Sequence, residues 1–357
     1  MKKRNIIVMG ASSGGVDAFK KVLAGLPPDL DAAIFIVWHI SPDTTGILPN
    51  VLNKLGKLHA SNARDFDQIK AGHIYVAPPD KHLLLEGDHM RVTKGPKENR
   101  FRPAVDPLFR SAAYHFGNRV IGVLLSGALD DGTSGLWTIK ERGGITIVQD
   151  PADAMLPDMP LNALKEVNVD YTLPAAEIGP LLAQLSSEQV KELKYRNHDE
   201  NKKTEMELQV ALQDNPDNTF FELGKLSPFS CPDCKGVMGI IKDGNRMRYR
   251  CHTGHAYTAD TLLAAITEKT ENTLWNVVRE MQETVMLLNH VGDHFAENNH
   301  PHEAAQYFQK AKEALQRSEQ VRALLLEHEK MNLDEIEAND KKQVAEDKTV
   351  NNYKLDG

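Results

Sequence analysis

The sequence predicts an α/β fold, a doubly wound and mostly parallel sheet, followed by a small cysteine-bearing module and an α-helical hairpin. Three observations carry that reading. Short apolar runs alternate with helix-length amphipathic stretches over residues 1–188, the pattern of a parallel sheet covered on both faces. All the cysteines fall between Cys231 and Cys251. Beyond them, two long stretches place apolar residues at helical spacing. With 357 residues, 41% apolar and 26% charged, the chain suffices for one sizeable core and a smaller module.

The elements follow in order. A strand at 6–9 ends in glycines and leads into a helix at 16–26. A strand at 33–38 and a helix at 46–55 come next. A strand at 73–77 precedes a hairpin, 82–86 and 89–93, turned at Gly87-Asp88. A helix at 105–116, a strand at 120–125, a helix at 133–142, a strand at 145–149 and helices at 160–167 and 175–185 complete the domain. Residues 189–225 are dense in charge and read as a linker, with a helical stretch at 205–212 and a turn-rich Asp214-Asn215-Pro216-Asp217. Residues 226–258 hold the cysteine module and 259–330 the helical hairpin, broken at Asn298-Asn299-His300-Pro301. Residues 331–357 read as an acidic flexible tail. Leu274, Met281, Val285 and Leu288 share one helical stripe, and Ala304, Phe308, Ala311 and Leu315 another. Such stripes are packing surfaces, for each other, for a partner protein or for a dimer.

Charge and hydropathy exclude several classes. Acidic residues outnumber basic ones, 50 to 42, which argues against a general nucleic-acid binder or a polybasic membrane-surface protein. The longest apolar run, 32–38, falls far short of the ~20 residues that span a bilayer, so no membrane insertion is expected. Met1-Lys2-Lys3-Arg4 is followed by too short an apolar stretch for a signal peptide. An odd, clustered set of cysteines suits a reducing, cytoplasmic setting.

Gly10-Ala11-Ser12-Ser13-Gly14-Gly15 sits between the first strand and the first helix. As a dinucleotide loop it lacks G-x-G-x-x-G, and no tyrosine has the lysine four residues on that short-chain dehydrogenases need. As G-x-S-x-G it fits a nucleophile elbow, a tight turn that lifts a serine above the sheet edge. As a bare turn it fits a serine helix cap. Its company favours the elbow. The second strand runs into His39, and the strand at 120–125 runs into Ser126-Gly127-Ala128-Leu129-Asp130-Asp131-Gly132. Strand ends of a parallel sheet share one edge, so a serine, a histidine and an aspartate meet there. Ser12 then acts as nucleophile, His39 takes its proton, and Asp131 holds the imidazole tautomer. By spacing alone Ser13 and Asp130 remain alternatives.

These residues are joined by His73-Ile74-Tyr75-Val76-Ala77-Pro78, Asp80-Lys81-His82, Arg102-Pro103-Ala104-Val105-Asp106-Pro107-Leu108-Phe109, the 126–135 segment and Met159-Pro160. Over residues 4–185 the chain resembles the catalytic domain of CheB-type chemotaxis protein-glutamate methylesterases. The resemblance implies that Ser12, His39 and Asp131 are the catalytic triad of a serine hydrolase. It implies demethylation of glutamate γ-methyl esters on methyl-accepting chemoreceptors through a glutamyl-serine intermediate, with glutamine deamidation in some members. It implies no catalytic cofactor. Backbone N–H groups around His39 and Ala128 are expected to hold the oxyanion. The sequence departs from the family pattern in places. Gly127-Ala128-Leu129 stands where the family has Gly-Met-Gly, and Ile40-Ser41-Pro42 follows His39. The sheet begins at Ile6, so the family's receiver domain and its phosphorylation switch are not expected in this chain. Arg102, Asp106 and Arg110 read as exposed charges at a helix start, Asp80, Lys81 and His82 as loop residues, and His115, His290 and His294 as surface histidines.

Cys231-Pro232-Asp233-Cys234-Lys235-Gly236 is a C-P-x-C-x-G knuckle, and Cys251, His252 and His255 follow across a hairpin turned at Asp243-Gly244-Asn245. That is the layout of a zinc ribbon, with a structural zinc on Cys231, Cys234, Cys251 and His255. His252 is the alternative fourth ligand. Lys242, Arg246, Arg248 and Arg250 make a local basic face that reads as a solvated strand surface before a nucleic-acid surface. Two other functions compete with the esterase: an inactive scaffold of a signalling complex, and a nucleic-acid-binding ribbon.

Overall fold

Parallel pairing with helices on both sides is written into the first long strand, whose alternate residues enter opposite core layers. Ile7 and Met9 join one buried cluster, Ile6 and Val8 the other. The computed structural model describes residues 2–40, 47–54, 57–191, 197–213, 225–244 and 246–326. The Asp214–Asp217 turn, Asn245 and the 331–357 tail lie outside the described residues. The chain divides into two compact units, Met1–Thr261 and the remainder from Leu262.

The first unit begins with β1 (Lys2–Lys3), β2 (Ile6–Ala11), α1 (Gly15–Ala24), β3 (Ala33–Trp38), α2 (Leu48–Asn53), β4 (His59–Asn62) and β5 (His73–Val76). The hairpin β6 (His82–Glu86) and β7 (His89–Thr93) leads to α3 (Val105–Phe116), β8 (Val120–Leu124), α4 (Thr133–Glu141) and β9 (Ile145–Gln149). Then come α5 (Asp158–Glu166), β10 (Tyr171–Leu173), α6 (Ala175–Ser186) and β11 (Gln189–Val190). A seven-stranded sheet has the order β10-β9-β8-β2-β3-β5-β4, with every pairing parallel. The chain turns from one side of β2 to the other, which opens a crevice at the carboxyl ends of β2, β3 and β8. Phe19, Val22, Leu26 and Leu182 cover one face of the sheet, and Leu83, Leu108, Phe109 and Leu136 the other. The strands β4 and β10 were not expected. Both are short, half-exposed edge strands without an apolar run.

The charged stretch read as a linker carries a longer helix than expected, α7 (His198–Leu212), with Met206, Glu207, Leu208 and Ala211 buried. Asn197 caps it, its side chain accepting from the Glu200 N–H. An antiparallel sheet follows: β12 (Lys225–Ser230), β13 (Val237–Asp243), β14 (Arg246–Cys251) and β15 (Ala256–Thr258). It docks on the α/β layers edge to edge. The Asn99 N–H donates to Ala256 O at 2.7 Å, and the Ala256 N–H to Lys97 O at 3.2 Å.

A buried ion network fixes this docking. Glu98 pairs with Arg110 of α3 and with Arg250 of β14 (2.9 Å for the latter). Glu207 of α7 takes Arg248 at 2.7 Å and Arg250 at 3.2 Å. Asp243 takes Arg248 and, at 2.6 Å, Lys203. Arg248 and Arg250 are thus not the solvated strand face the sequence suggested, since both are 2% exposed or less. Asp106 and Arg110 are likewise buried rather than exposed at a helix start. Arg102 pairs with Asp80 at 2.6 Å, and His82 is a buried strand residue with its Nε2 on Pro96 O at 2.8 Å.

The second unit contains most of α8 (Ala259–Glu297) and, in its described part, α9 (Pro301–Leu326). Phe295 stacks on Tyr307 with centroids 5.4 Å apart, and Phe308 packs over Gly292, so the helices run antiparallel. The stripe of Leu274, Met281, Val285 and Leu288 is the less exposed side of α8. On α9 the covered seam passes through Ala304, Ala311, Ser318 and Leu325, whereas Leu315, assigned to it from the sequence, is 43% exposed. Among the described residues no helix is long and apolar enough to cross a membrane.

Burial pushes the carboxyls of Glu98, Glu207 and Asp243 up, but the surrounding guanidinium and ammonium groups outweigh it and hold all of them below their ordinary range. A depressed folded-state value stabilises the fold above the unfolded-state pKa, about 4, and that stability is lost as pH falls below it. Urea midpoints measured from pH 7 to pH 3 will therefore hold near neutrality and drop below about pH 4. Glu207→Ala takes one buried carboxylate from each of Arg248 and Arg250 and will cost about 3–5 kcal/mol in urea unfolding at pH 7. Asp31→Ala, which breaks an exposed pair with Lys3, will cost less than about 1 kcal/mol.

Candidate active site and metal centre

The sheet register sets the site. Ala11 pairs with Trp38 and Gly10 with Leu124, so Ser12, His39 and the loop after β8 leave the same edge. The His39 N–H donates to Ala11 O (3.2 Å), the Ser12 N–H to Ser126 O (2.9 Å), and Trp38 Nε1 to Ser12 O (3.0 Å). Close approach at this corner requires glycine. A side chain at Gly127 would lie 2.0 Å from Met159 Sδ and 2.8 Å from Ser12 Cβ. Gly14, with φ 79°, opens α1 in the left-handed region. Ser12 is 9% exposed and faces this packed corner, while Ser13 is exposed.

His39 and Asp131 are brought together, Nε2 to Oδ2 at 2.7 Å, with the imidazole stacked on Phe101 at 3.7 Å. Asp131 also accepts from the Val105 N–H (2.7 Å), the Asp106 N–H (3.3 Å) and Asn99 Nδ2 (2.9 Å). Burial pushes its carboxyl up, but the hydrogen bond from His39, with the Val105 and Asn99 donors, holds it below the ordinary value. An ionised acceptor requires that His39 Nε2 carry the proton, which leaves a lone pair on Nδ1. That nitrogen is buried and has no hydrogen-bond partner among the described residues. The Ser12 hydroxyl makes no hydrogen bond among the described residues either.

The two neighbouring aspartates point to different partners. Asp130 accepts from Arg246 and, at 2.8 Å, from Thr258 Oγ1. Asp106 accepts from the Gly135 N–H at 2.6 Å and from Asn99 Nδ2 at 2.9 Å. Burial and the adjacent Asp131 charge raise its carboxyl to about 7. Asn99, Phe101 and Thr258 were not singled out from the sequence, where no motif or spacing marks them.

The expectation for the oxyanion donors needs correction at one position. The His39 N–H is engaged by Ala11 O and is not free. The Gly127 N–H is engaged by Leu156 O, while that of Ala128 makes no hydrogen bond among the described residues. Leu129 has φ 62°, and its carbonyl is held by Asn162 Nδ2 at 3.0 Å. That left-handed conformation is one that glycine adopts at lower cost than leucine.

Cys231, Cys234, Cys251 and His255 form a group whose ligand atoms all lie within 4.8 Å of one another, and which could hold a metal ion. The Cys234–Cys251 sulfurs are 3.5 Å apart, and His255 Nδ1 lies 3.5 Å from Cys251 Sγ and 3.7 Å from Cys231 Sγ. Bonds of about 2.3 Å to a tetrahedral ion give edges of this length. His252 is outside the group, its ring against Gly236. Tyr257 OH donates to Asp233 Oδ2 at 2.6 Å and ties the knuckle to β15.

Comparison with known proteins places the first part of the chain in a family. The family model described as CheB methylesterase matches residues 7–182. A protein of Leptospira interrogans named putative protein-glutamate methylesterase/protein-glutamine glutaminase is 40% identical over 180 residues, which cover 50% of this chain and 93% of that protein. A protein-glutamate methylesterase/protein-glutamine glutaminase of Anaeromyxobacter dehalogenans is 41% identical over 181 residues, covering 51% of this chain and 53% of its own length. One of Yersinia pestis is 36% identical over 194 residues, covering 53% and 55%. The chain thus spans about half the length of these two relatives. The crystal structure of the Thermotoga maritima CheB methylesterase catalytic domain aligns with a TM-score of 0.50 at 33% identity, covering 52% of this chain and 99% of that one. Sequence and fold together establish that the chain belongs to the CheB methylesterase family.

Proposed function

We propose that the protein is a protein-glutamate methylesterase in which Ser12 is the nucleophile, His39 the base and Asp131 its orienting partner. The observation that carries this reading is the buried His39–Asp131 pair, its Nδ1 without a partner among the described residues, at the strand end adjacent to Ser12. Ser12 Oγ attacks the ester carbonyl as His39 Nδ1 takes its proton. The tetrahedral oxyanion turns to free backbone N–H groups, that of Ala128 among them. Methanol departs with the proton from His39, and water delivered by the same base hydrolyses the glutamyl-serine ester. Amide hydrolysis follows the same path with ammonia leaving, in keeping with the glutaminase in the relatives' names. CheB-family methylesterases act on methylated chemoreceptors, and a receptor of that kind, on the cytoplasmic side, is the proposed substrate.

The Cys231, Cys234, Cys251 and His255 group is proposed to hold a structural zinc ion, as its thiolate-imidazole donor set and tetrahedral edge lengths fit. Zinc there stabilises the ribbon and is not part of the hydrolytic path.

Two measurements test the proposal. Methanol release from methylated receptor membranes is expected for the wild type, and Ser12→Ala will lower it by about 10⁴-fold or more while leaving the fold intact. Release by both proteins alike would remove Ser12 from the role. Elemental analysis of purified protein is expected to give one zinc per chain, and Cys251→Ser to lose it together with part of the thermal stability. A zinc-free wild type of equal stability would refute the structural site.

A further inference from the structure

The ribbon meets the α/β layers directly behind Asp131, and side chains fill the junction. Asn99 lies at its centre, with φ 50°, a left-handed conformation that asparagine tolerates. Its Nδ2 donates to Asp131 Oδ1 and Asp106 Oδ2, both at 2.9 Å. Its Oδ1 accepts from the Thr258 N–H (3.2 Å) and Thr261 Oγ1 (3.3 Å). The Asp131 carboxylate on one side and the Thr258 N–H on the other leave only one orientation for this amide. Its own N–H is held by Ala256 O at 2.7 Å. The same strand reaches Asp130 independently, through Thr258 Oγ1 at 2.8 Å, and Arg246 reinforces that contact.

We propose that Asn99 and Thr258 are positioning residues of the esterase, so that the last strand of the ribbon, through Asn99 and Asp130, fixes the carboxylate that orients His39. This rests on the triad reading above. The ribbon on this view is part of the active site's support, and a catalytic domain separated from it lacks the Thr258 and Thr261 donors that orient Asn99. The Asp131 carboxylate then has one donor fewer held in place, and the imidazole it orients loses a fixed position. A displacement of about 1 Å at a reacting group lowers rate by about a hundredfold, so the effect falls on turnover rather than on substrate affinity.

The test uses the full chain with zinc bound. Thr258→Val removes the hydroxyl and keeps the N–H, Thr258→Ser restores the hydroxyl, and Asn99→Ala removes the amide. Methanol release is expected to show kcat lowered about tenfold in Thr258→Val and about a hundredfold in Asn99→Ala, with KM unchanged and with Thr258→Ser close to wild type. The proton NMR signal of the His39 ring N–H bound to Asp131 is expected in wild type and Thr258→Ser, and broadened or lost in the other two. Zinc content and far-UV circular dichroism, unchanged across the set, show that the ribbon remains folded. Full kcat with the ring-proton signal intact in Thr258→Val and Asn99→Ala overturns the proposal. Equal loss in Thr258→Ser and Thr258→Val also overturns it, since packing rather than the hydroxyl would then be at stake. Should the wild type release no methanol, the methylesterase reading fails by itself. The ring-proton signal then decides the positioning role, its persistence in both variants overturning it and its loss supporting it.

Discussion

A fully buried carboxylate, Asp131, is the constraint around which the first unit is arranged. Removing a charge from water costs several kcal/mol unless donors replace the lost hydration. Those donors come from separate places: His39 at the end of β3, Asn99 in the turn before α3, and the Val105 and Asp106 N–H groups. The last two open α3, whose N-cap, Ala104, has no side chain to satisfy them. Asp131 therefore does for α3 what a capping residue would, and the helix's positive end in turn favours the ionised carboxylate. Loosening any of these elements exposes both an unpaired helix end and an undersolvated charge, which couples the site's geometry to the fold's integrity.

The ion network constrains register as well as contributing to stability. Glu98, Glu207 and Asp243 face Arg110, Arg248, Arg250 and Lys203 across the seam between α3, α7 and the ribbon. Well-packed apolar residues of equal volume would stabilise that seam at least as much. Apolar surfaces, however, tolerate sliding, whereas guanidinium forks on carboxylates have a single good register. Glu98 immediately precedes Asn99. The residue that locks the seam and the residue that contacts Asp131 are chain neighbours, so the register of one is inherited by the other.

The parallel sheet was legible in the sequence because buried strands and glycine-bearing turns are local signals, and so was the convergence of Ser12, His39 and Asp131 on one sheet edge. The cysteine–histidine group was legible for the same reason, as ligand spacing is fixed within a knuckle. Choosing between Asp130 and Asp131, or between His252 and His255, needed side-chain directions that spacing does not carry. The basic strand was misread because Arg248 and Arg250 alternate with Tyr249 much as a half-solvated strand would. Their partners, Glu98 and Glu207, lie in distant parts of the chain, and nothing local distinguishes a charge that meets water from one that meets a buried carboxylate. Asn99 was invisible for that reason too, since its importance consists entirely of contacts to Asp106, Asp131, Thr258 and Thr261.

Leu129 shows how such constraints accumulate in a few residues. A leucine in the left-handed region carries a backbone penalty of roughly 1–2 kcal/mol that glycine would not. It is tolerated because the turn is fixed on either side: Asn162 holds its carbonyl, Asp130 is held by Arg246 and Thr258, and Asp131 by His39 and Asn99. Strain of this kind persists only where the surroundings over-determine the conformation. Here the surroundings include the ribbon, through Thr258 and Arg246. A glycine at this position would need no such restraint to hold the turn. In this chain the turn carrying the Ala128 N–H and the Asp131 carboxylate keeps its shape against the preference of Leu129, and part of what keeps it there, the Thr258 and Arg246 contacts to Asp130, comes from the antiparallel sheet.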